Sequence, residues 1–233
     1  MSTGFRLRNG DQGPVQQSPV TCGSACLTVA RMLVNPDFAR WIVSGEGSRG
    51  DAPEGATESE RFAAYERVVM KRTNGLYAGG HRLNLPWPRR LGTPPWGAKK
   101  ELEFGAARRA TTYEVEVLRA PGASRRRAAF RRLLEVVGDG EPALLYVGNA
   151  VLPRHVVLVL PGDGDGLLDV YDPGTGLVSL LDEASFAGRR LRLSGWDVPW
   201  IAVQPDGLRR IQAFGFATGM SSAPRTSRVS ASA

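Results

Sequence analysis

The sequence predicts an α+β fold, with a helical N-terminal half packed on an antiparallel sheet from the C-terminal half. In the first half, apolar residues recur at helical spacing, as in Ala25, Leu27, Val29, Ala30, Leu33 and Val34. In the second half, the pattern changes to short apolar runs bounded by Gly, Pro and Asp, which read as strands. A chain of 233 residues with 42% apolar composition can bury one good core, so one domain is expected.

Residues 1–15 read as a flexible lead-in and residues 16–214 as the domain. A helix over 22–34 stops at Asn35-Pro36, because the residue before a proline avoids the helical region. Residues 44–56, rich in Gly, Ser, Asp and Pro, read as a loop. Thr57-Glu58-Ser59-Glu60 offers a capping box for a helix carrying Phe62, Ala63, Tyr65, Val68 and Val69, and Asn74-Gly75 closes it. Leu85-Pro86-Trp87-Pro88 and Thr93-Pro94-Pro95-Trp96 are rich in turns. Trp87 and Trp96 there are anchors of the turns or a wall beside a cleft. Residues 44–110 together form a Gly/Pro/Trp-rich insertion.

A short helix is expected over 98–107 and a strand over 111–118. Residues 124–137 form an amphipathic helix with Phe130, Leu133, Leu134 and Val137 inward. Arg125, Arg126, Arg127, Arg131 and Arg132 mostly line its solvated side. Strands follow over 143–147, 155–160, 167–171 and 177–181, then a short helix over 182–186 and a strand over 200–203. The Ser/Ala-rich tail, residues 215–233, is expected to be disordered.

Composition excludes several function classes. The net charge is +7, and all but three of the 30 basic residues are arginine. They are scattered and accompany no nucleic-acid motif, so a solvated surface is expected rather than a nucleic-acid interface. No apolar run is long enough to span a membrane. Residues 1–10 lack the apolar centre of a secretion signal, and two cysteines four apart make no disulfide framework. A reducing, cytoplasmic setting is therefore expected. No cofactor or metal is expected. Cys22, Cys26, His81 and His155 could supply a zinc tetrad, but the Cys-to-Cys spacing departs from the usual two-residue gap.

The chemistry starts at Cys22. It stands at the first turn of the 22–34 helix, where backbone N–H groups lack internal partners and the positive end of the dipole favours a thiolate. Thiolates attack where thiols do not, so this placement suits a nucleophile. Gly23 leaves it uncrowded, and Gln16 could donate an N–H to a tetrahedral oxyanion beside the Cys22 N–H. Cys26, one turn on and on the same face, reads as core, with a resolving thiol as the alternative.

A thiol nucleophile needs a base held by a third group. There are two histidines. His81, after Gly79-Gly80, reads as a loop residue, whereas His155 opens the buried run Val156 to Leu160. A two-residue turn on Asp163-Gly164 sets His155 directly opposite Asp172, on one face of the sheet and within reach of a carboxylate–imidazole contact. Asp169 would pair with Leu158 and point to the other face.

These two segments together resemble the bacteriocin-processing cysteine peptidases, a bacterial family of papain-like fold that trims double-glycine leaders. Gln16, Cys22, Gly23 and Cys26 fall on that family's first motif, with Thr21 where it has aspartate. His155 at the start of an apolar strand, Asp172-Pro173 at the end of the next, and the lead-in 141–147 resemble its second. Arg154 stands where a glycine often precedes the histidine. The resemblance implies a papain-like fold and a peptide or protein substrate. It further implies Cys22 as nucleophile, His155 as base, Asp172 as its orienter and Gln16 as oxyanion donor. The same triad would serve acyl transfer or another amide bond. A reading from another class is a papain-like module that binds peptide without cutting, motivated by Arg154 and Thr21.

Overall fold

The computed structural model describes residues 4–47, 53–75, 77–78, 82–83, 87–88, 92–108, 110–120, 122–138, 140–162 and 164–207. His81, Asp163 and the tail expected to be disordered lie outside these residues. The fold class is α+β, as expected. Its centre is a six-stranded antiparallel sheet in the order β3-β8-β4-β5-β6-β7. The strands are β3 (Tyr113–Val117), β4 (Ala143–Gly148), β5 (Pro153–Leu160), β6 (Leu168–Tyr171), β7 (Val178–Leu181) and β8 (Val198–Pro205). A separate two-stranded ribbon joins β1 (Tyr77–Ala78) to β2 (Arg82–Leu83).

Both faces of the sheet are covered. On one face Leu144, Tyr146, Val156, Leu158, Leu160 and Tyr171 pack in one core with α1 (Cys22–Val34), α2 (Pro36–Ser44) and α3 (Glu58–Asn74). On the other, Leu145, Val147, Val157, Val159 and Val170 pack against α5 (Ala123–Val137) and α6 (Glu183–Ala187). A strand buried on both sides has no polar face to alternate with, which is why Val156 to Leu160 reads as an unbroken apolar run. The sheet is thus sandwiched, and its second cover is α5, which follows β3 in the chain.

Several elements differ from expectation, each for a local reason. Asn35-Pro36 does end α1, but it also starts α2. The Asn35 side chain accepts from Phe38 N at 3.0 Å, and Pro36 takes the first helical position. The helix expected over 98–107 begins earlier as α4 (Pro95–Glu101) and runs into a π-turn, Leu102–Ala106, broken at Gly105. Arg126 is not on the solvated face of α5; it is buried, and its Nε donates to Ala187 O at 2.9 Å. The capping box at Thr57 and Glu60 forms as read.

The lead-in is not loose where it is described. Gly10 N donates to Val178 O (3.0 Å), Val178 N to Asp11 O (3.1 Å) and Gly13 N to Gly176 O (2.8 Å). These bonds continue the sheet past β7, and Leu7 joins the core. At its start, the edge strand's otherwise open N–H and C=O groups are covered at Val178.

The second core depends on α5. Phe130 is fully buried, with its ring centroid 5.5 Å from that of Phe186. Phe130→Ala is expected to lower the free energy of unfolding by about 3–5 kcal/mol, read by urea denaturation.

Candidate active site

Four segments meet at one end of the sheet: the start of α1, the start of β5, the turn after β6, and a hairpin before β8. At the start of α1, Thr21 leaves the helix uncapped. Its hydroxyl turns back to Ser18 O (2.9 Å), and no side chain caps the first turn. The first-turn N–H groups beside Cys22 are therefore left to an anion. Glu66 of α3 braces this approach: it is buried, Gln17 N donates to its Oε2 at 3.2 Å, and it also bonds the Thr21 side chain. Burial pushes the Glu66 carboxyl up, against those two hydrogen bonds.

β5 is started by a tight connection. Asn149 Oδ1 accepts from Val151 N (2.8 Å) and Leu152 N (2.9 Å), turning the chain back at Gly148. A Cβ at residue 148 would lie 2.2 Å from Leu152 O, so only glycine lets the two strands approach this closely. The connection delivers Pro153, exposed Arg154 and buried His155.

His155 and Asp172 meet. His155 Nε2 lies 2.7 Å from Asp172 Oδ1, and both side chains are nearly excluded from solvent. The register by which the sequence joins them is nevertheless two residues out. The structure pairs Leu158 with Tyr171, Val159 with Val170 and Leu160 with Asp169, so Asp169 does not oppose Leu158. The cause is a longer connection between β5 and β6, with Gly164 and Gly166 both left-handed (φ 84° and 83°). A shift of two keeps every side chain on its face. Asp172 sits just past the end of β6, diagonal to His155 and still within reach.

Asp172 is itself held from several sides. Gly174 N donates to Oδ1 at 2.9 Å and Ser194 Oγ to Oδ2 at 2.5 Å. Burial pushes its carboxyl up, but the hydrogen bonds from His155, Ser194 and Gly174 and the charge of His155 outweigh it and hold it below the usual range. His155 moves the other way. Burial pulls it down, while Asp172 and Cys22, each as hydrogen-bond partner and charge, outweigh burial and raise it from 6.5 to about 9.

Cys22 is buried, at 3% exposure, and lies against His155. Residues of the middle insertion close over it. A Cβ at Gly92 would stand 3.9 Å from Cys22 Sγ, and one at Gly23 would run into Thr93 at 2.7 Å. Thr93 is tied down by Ser24 Oγ (3.2 Å) and by Tyr146, whose hydroxyl donates to Thr93 O at 3.0 Å. Trp87 and Trp96 stack edge-on, with centroids 5.2 Å apart.

Gln16 is fixed by its backbone, which donates to Pro173 O at 2.8 Å, directly after Asp172. Its buried Oε1 has no hydrogen-bond partner among the described residues. Cys26 is a core thiol: its Sγ donates to Val156 O at 3.4 Å, and burial pushes it well up. No group of three or more His, Cys, Asp or Glu able to hold a metal occurs among the described residues. No helix there is long and apolar enough to cross a membrane.

The sequence reading missed Ser194. Its signal was present as Ser194-Gly195 between Leu193 and Trp196, a two-residue turn dipeptide of the kind that closes hairpins.

No family model and no curated protein matches the chain. Among solved structures, one similar chain is the peptidase domain of Streptococcus ComA, a bi-functional ABC transporter involved in a quorum sensing pathway. It is 16% identical, with 84% of this chain and 98% of that one covered and a TM-score of 0.37. Another is the Pseudomonas avirulence protein AvrPphB, 12% identical, with 82% and 95% covered and a TM-score of 0.40.

Proposed function

We propose that this chain is a papain-like thiol hydrolase that cleaves a peptide bond through an acyl-thioester on Cys22. One observation carries the reading: a buried His155–Asp172 pair at 2.7 Å, with the imidazole also engaged by a cysteine at an uncapped helix N-terminus. His155 uses Nε2 for Asp172, which leaves Nδ1 for the thiol. The Cys22 thiol gives its proton to His155 Nδ1 and its sulfur attacks the substrate carbonyl carbon, and the oxyanion is received by the Cys22 N–H and the Gln16 amide. The tetrahedral species collapses, the C–N bond breaks, and His155 gives its proton to the departing amine. Water then attacks the thioester, its proton passes to His155, and the carboxylic acid leaves as the thiolate re-forms. Asp172 holds the ring and balances its charge throughout. An amine in place of water would make the same steps an acyl transfer.

The burial of Cys22 beneath Gly92 and Thr93 favours a second reading, in which the module binds peptide without cutting. Alkylation of Cys22 and Cys26, mapped by mass spectrometry across pH, separates the two. Labelling confined to Cys22, persisting well below the ordinary thiol range of about 8.5 and weakened in His155→Ala, is the outcome expected of the hydrolase. Slow labelling that is indifferent to His155 would support the binding module.

A further inference from the structure

We propose that Ser194 is a positioning residue of this site, its hydroxyl fixing the plane of the Asp172 carboxylate so that the other oxygen faces His155. The proposal rests on the hydrolase reading above. A carboxylate bound through one oxygen can still rotate about its last, broad torsion. Here the two oxygens are held separately: Oδ1 by His155 Nε2 (2.7 Å) and Gly174 N (2.9 Å), Oδ2 by Ser194 Oγ (2.5 Å). Asp172 is 6% exposed while Ser194 is exposed, so the serine stands between the carboxylate and water. Without it, a buried charged oxygen would lack this donor.

The backbone is bent to make the contact. Leu193 N donates to Trp196 O (3.1 Å) and Trp196 N to Leu193 O (2.8 Å), closing a two-residue hairpin. Both central residues have positive φ, 47° at Ser194 and 79° at Gly195. Such primed turns favour Asn or Gly at the first of these positions, and a serine there is held in a conformation L residues adopt at a cost. Packing converges on the same point. A Cβ at residue 174 would lie 3.1 Å from Ser194 Oγ, 3.2 Å from Asp172 Oδ1 and 3.6 Å from His155 Cε1. The turn after β6, the hairpin before β8 and the start of β5 are thus locked around one carboxylate.

The test compares wild type, Ser194→Gly and Ser194→Asn in the full chain. The readouts are iodoacetamide labelling of Cys22 across pH, the NMR titration of the Asp172 carboxyl carbon, and the thermal midpoint. Glycine relaxes the left-handed backbone, which offsets part of the lost hydrogen bond, so Ser194→Gly is expected to keep its fold with only a small change in thermal midpoint. Its Cys22 labelling at neutral pH should nevertheless fall about tenfold, the scale of one hydrogen bond to a charge, and its Asp172 titration should move to higher pH. Asparagine tolerates positive φ and carries an N–H donor, so Ser194→Asn should recover both readouts. Labelling by Ser194→Gly within about twofold of wild type at every pH would overturn the proposal, as would failure of Ser194→Asn to recover either readout. If wild-type labelling proves indifferent to His155→Ala, the hydrolase reading falls instead, and the Asp172 titration still decides whether the Ser194 contact holds the carboxylate.

Discussion

Cys22→Ala and His155→Ala are each expected to abolish turnover of a fluorogenic peptide-amide library, by at least about 10⁴-fold, while the fold persists. The two losses should not add. Nucleophile and base act as one unit, so the double variant should be no slower than the worse single one. Persistence of the fold follows from the position of both residues. Cys22 is in the first turn of α1, and the remainder of that helix, from Ala25 to Met32, stays packed in the core without its thiol. His155 stands near the start of β5, with five further strand residues, Val156 to Leu160, still buried. Circular dichroism and the thermal midpoint check that part. A complementary readout is an acyl-enzyme mass on Cys22 after rapid quench with a peptide ester, present in wild type and missing in Cys22→Ala. Unchanged turnover in Cys22→Ala would remove the mechanism.

How far the site was legible in the sequence follows from which interactions are local. α1 was readable to its ends because an apolar run meets Asn35-Pro36, and both signals lie within one segment. The joining of His155 to Asp172 was readable because only parity mattered. A misjudged turn that shifts pairing by two leaves both residues on one face, so the contact survives a wrong register. Ser194 was not readable as a partner, since a Ser-Gly turn announces a hairpin but not what its hydroxyl meets 22 residues away. The covering of Cys22 by Gly92 and Thr93 was not readable either. It depends on Thr93 being tied to Ser24 and Tyr146, contacts across 69 and 53 residues. The lead-in failed for the opposite reason: its bonds are backbone bonds to residues 176 and 178, to which side-chain composition gives no clue.

The stability of this protein is expected to depend on pH through the His155–Asp172 pair, and Asp172→Asn should flatten that dependence. His155 is raised in the fold from 6.5 to about 9. A raised base contributes stability that is complete below its unfolded value and is lost as pH rises through its folded one. Asp172 is held below its ordinary value of 3.8, so its contribution is complete above that value and lost only as pH falls below it. The window in which both are fully present therefore runs from about pH 4 to about pH 6.5. Between about pH 6.5 and 9, wild type should lose on the order of 3 kcal/mol of unfolding free energy, measured by urea denaturation. In Asp172→Asn the neutral amide cannot hold an imidazolium, so much of that loss should vanish. Catalysis should suffer far less than in His155→Ala, because the amide oxygen can still accept the ring N–H, as in the Cys-His-Asn arrangement of papain-like enzymes. Equal pH slopes in wild type and variant would mean that the pair does not stabilise a proton on His155. The same proton links stability to chemistry. It is the proton that His155 gives to the departing amine, before the free imidazole takes one from water.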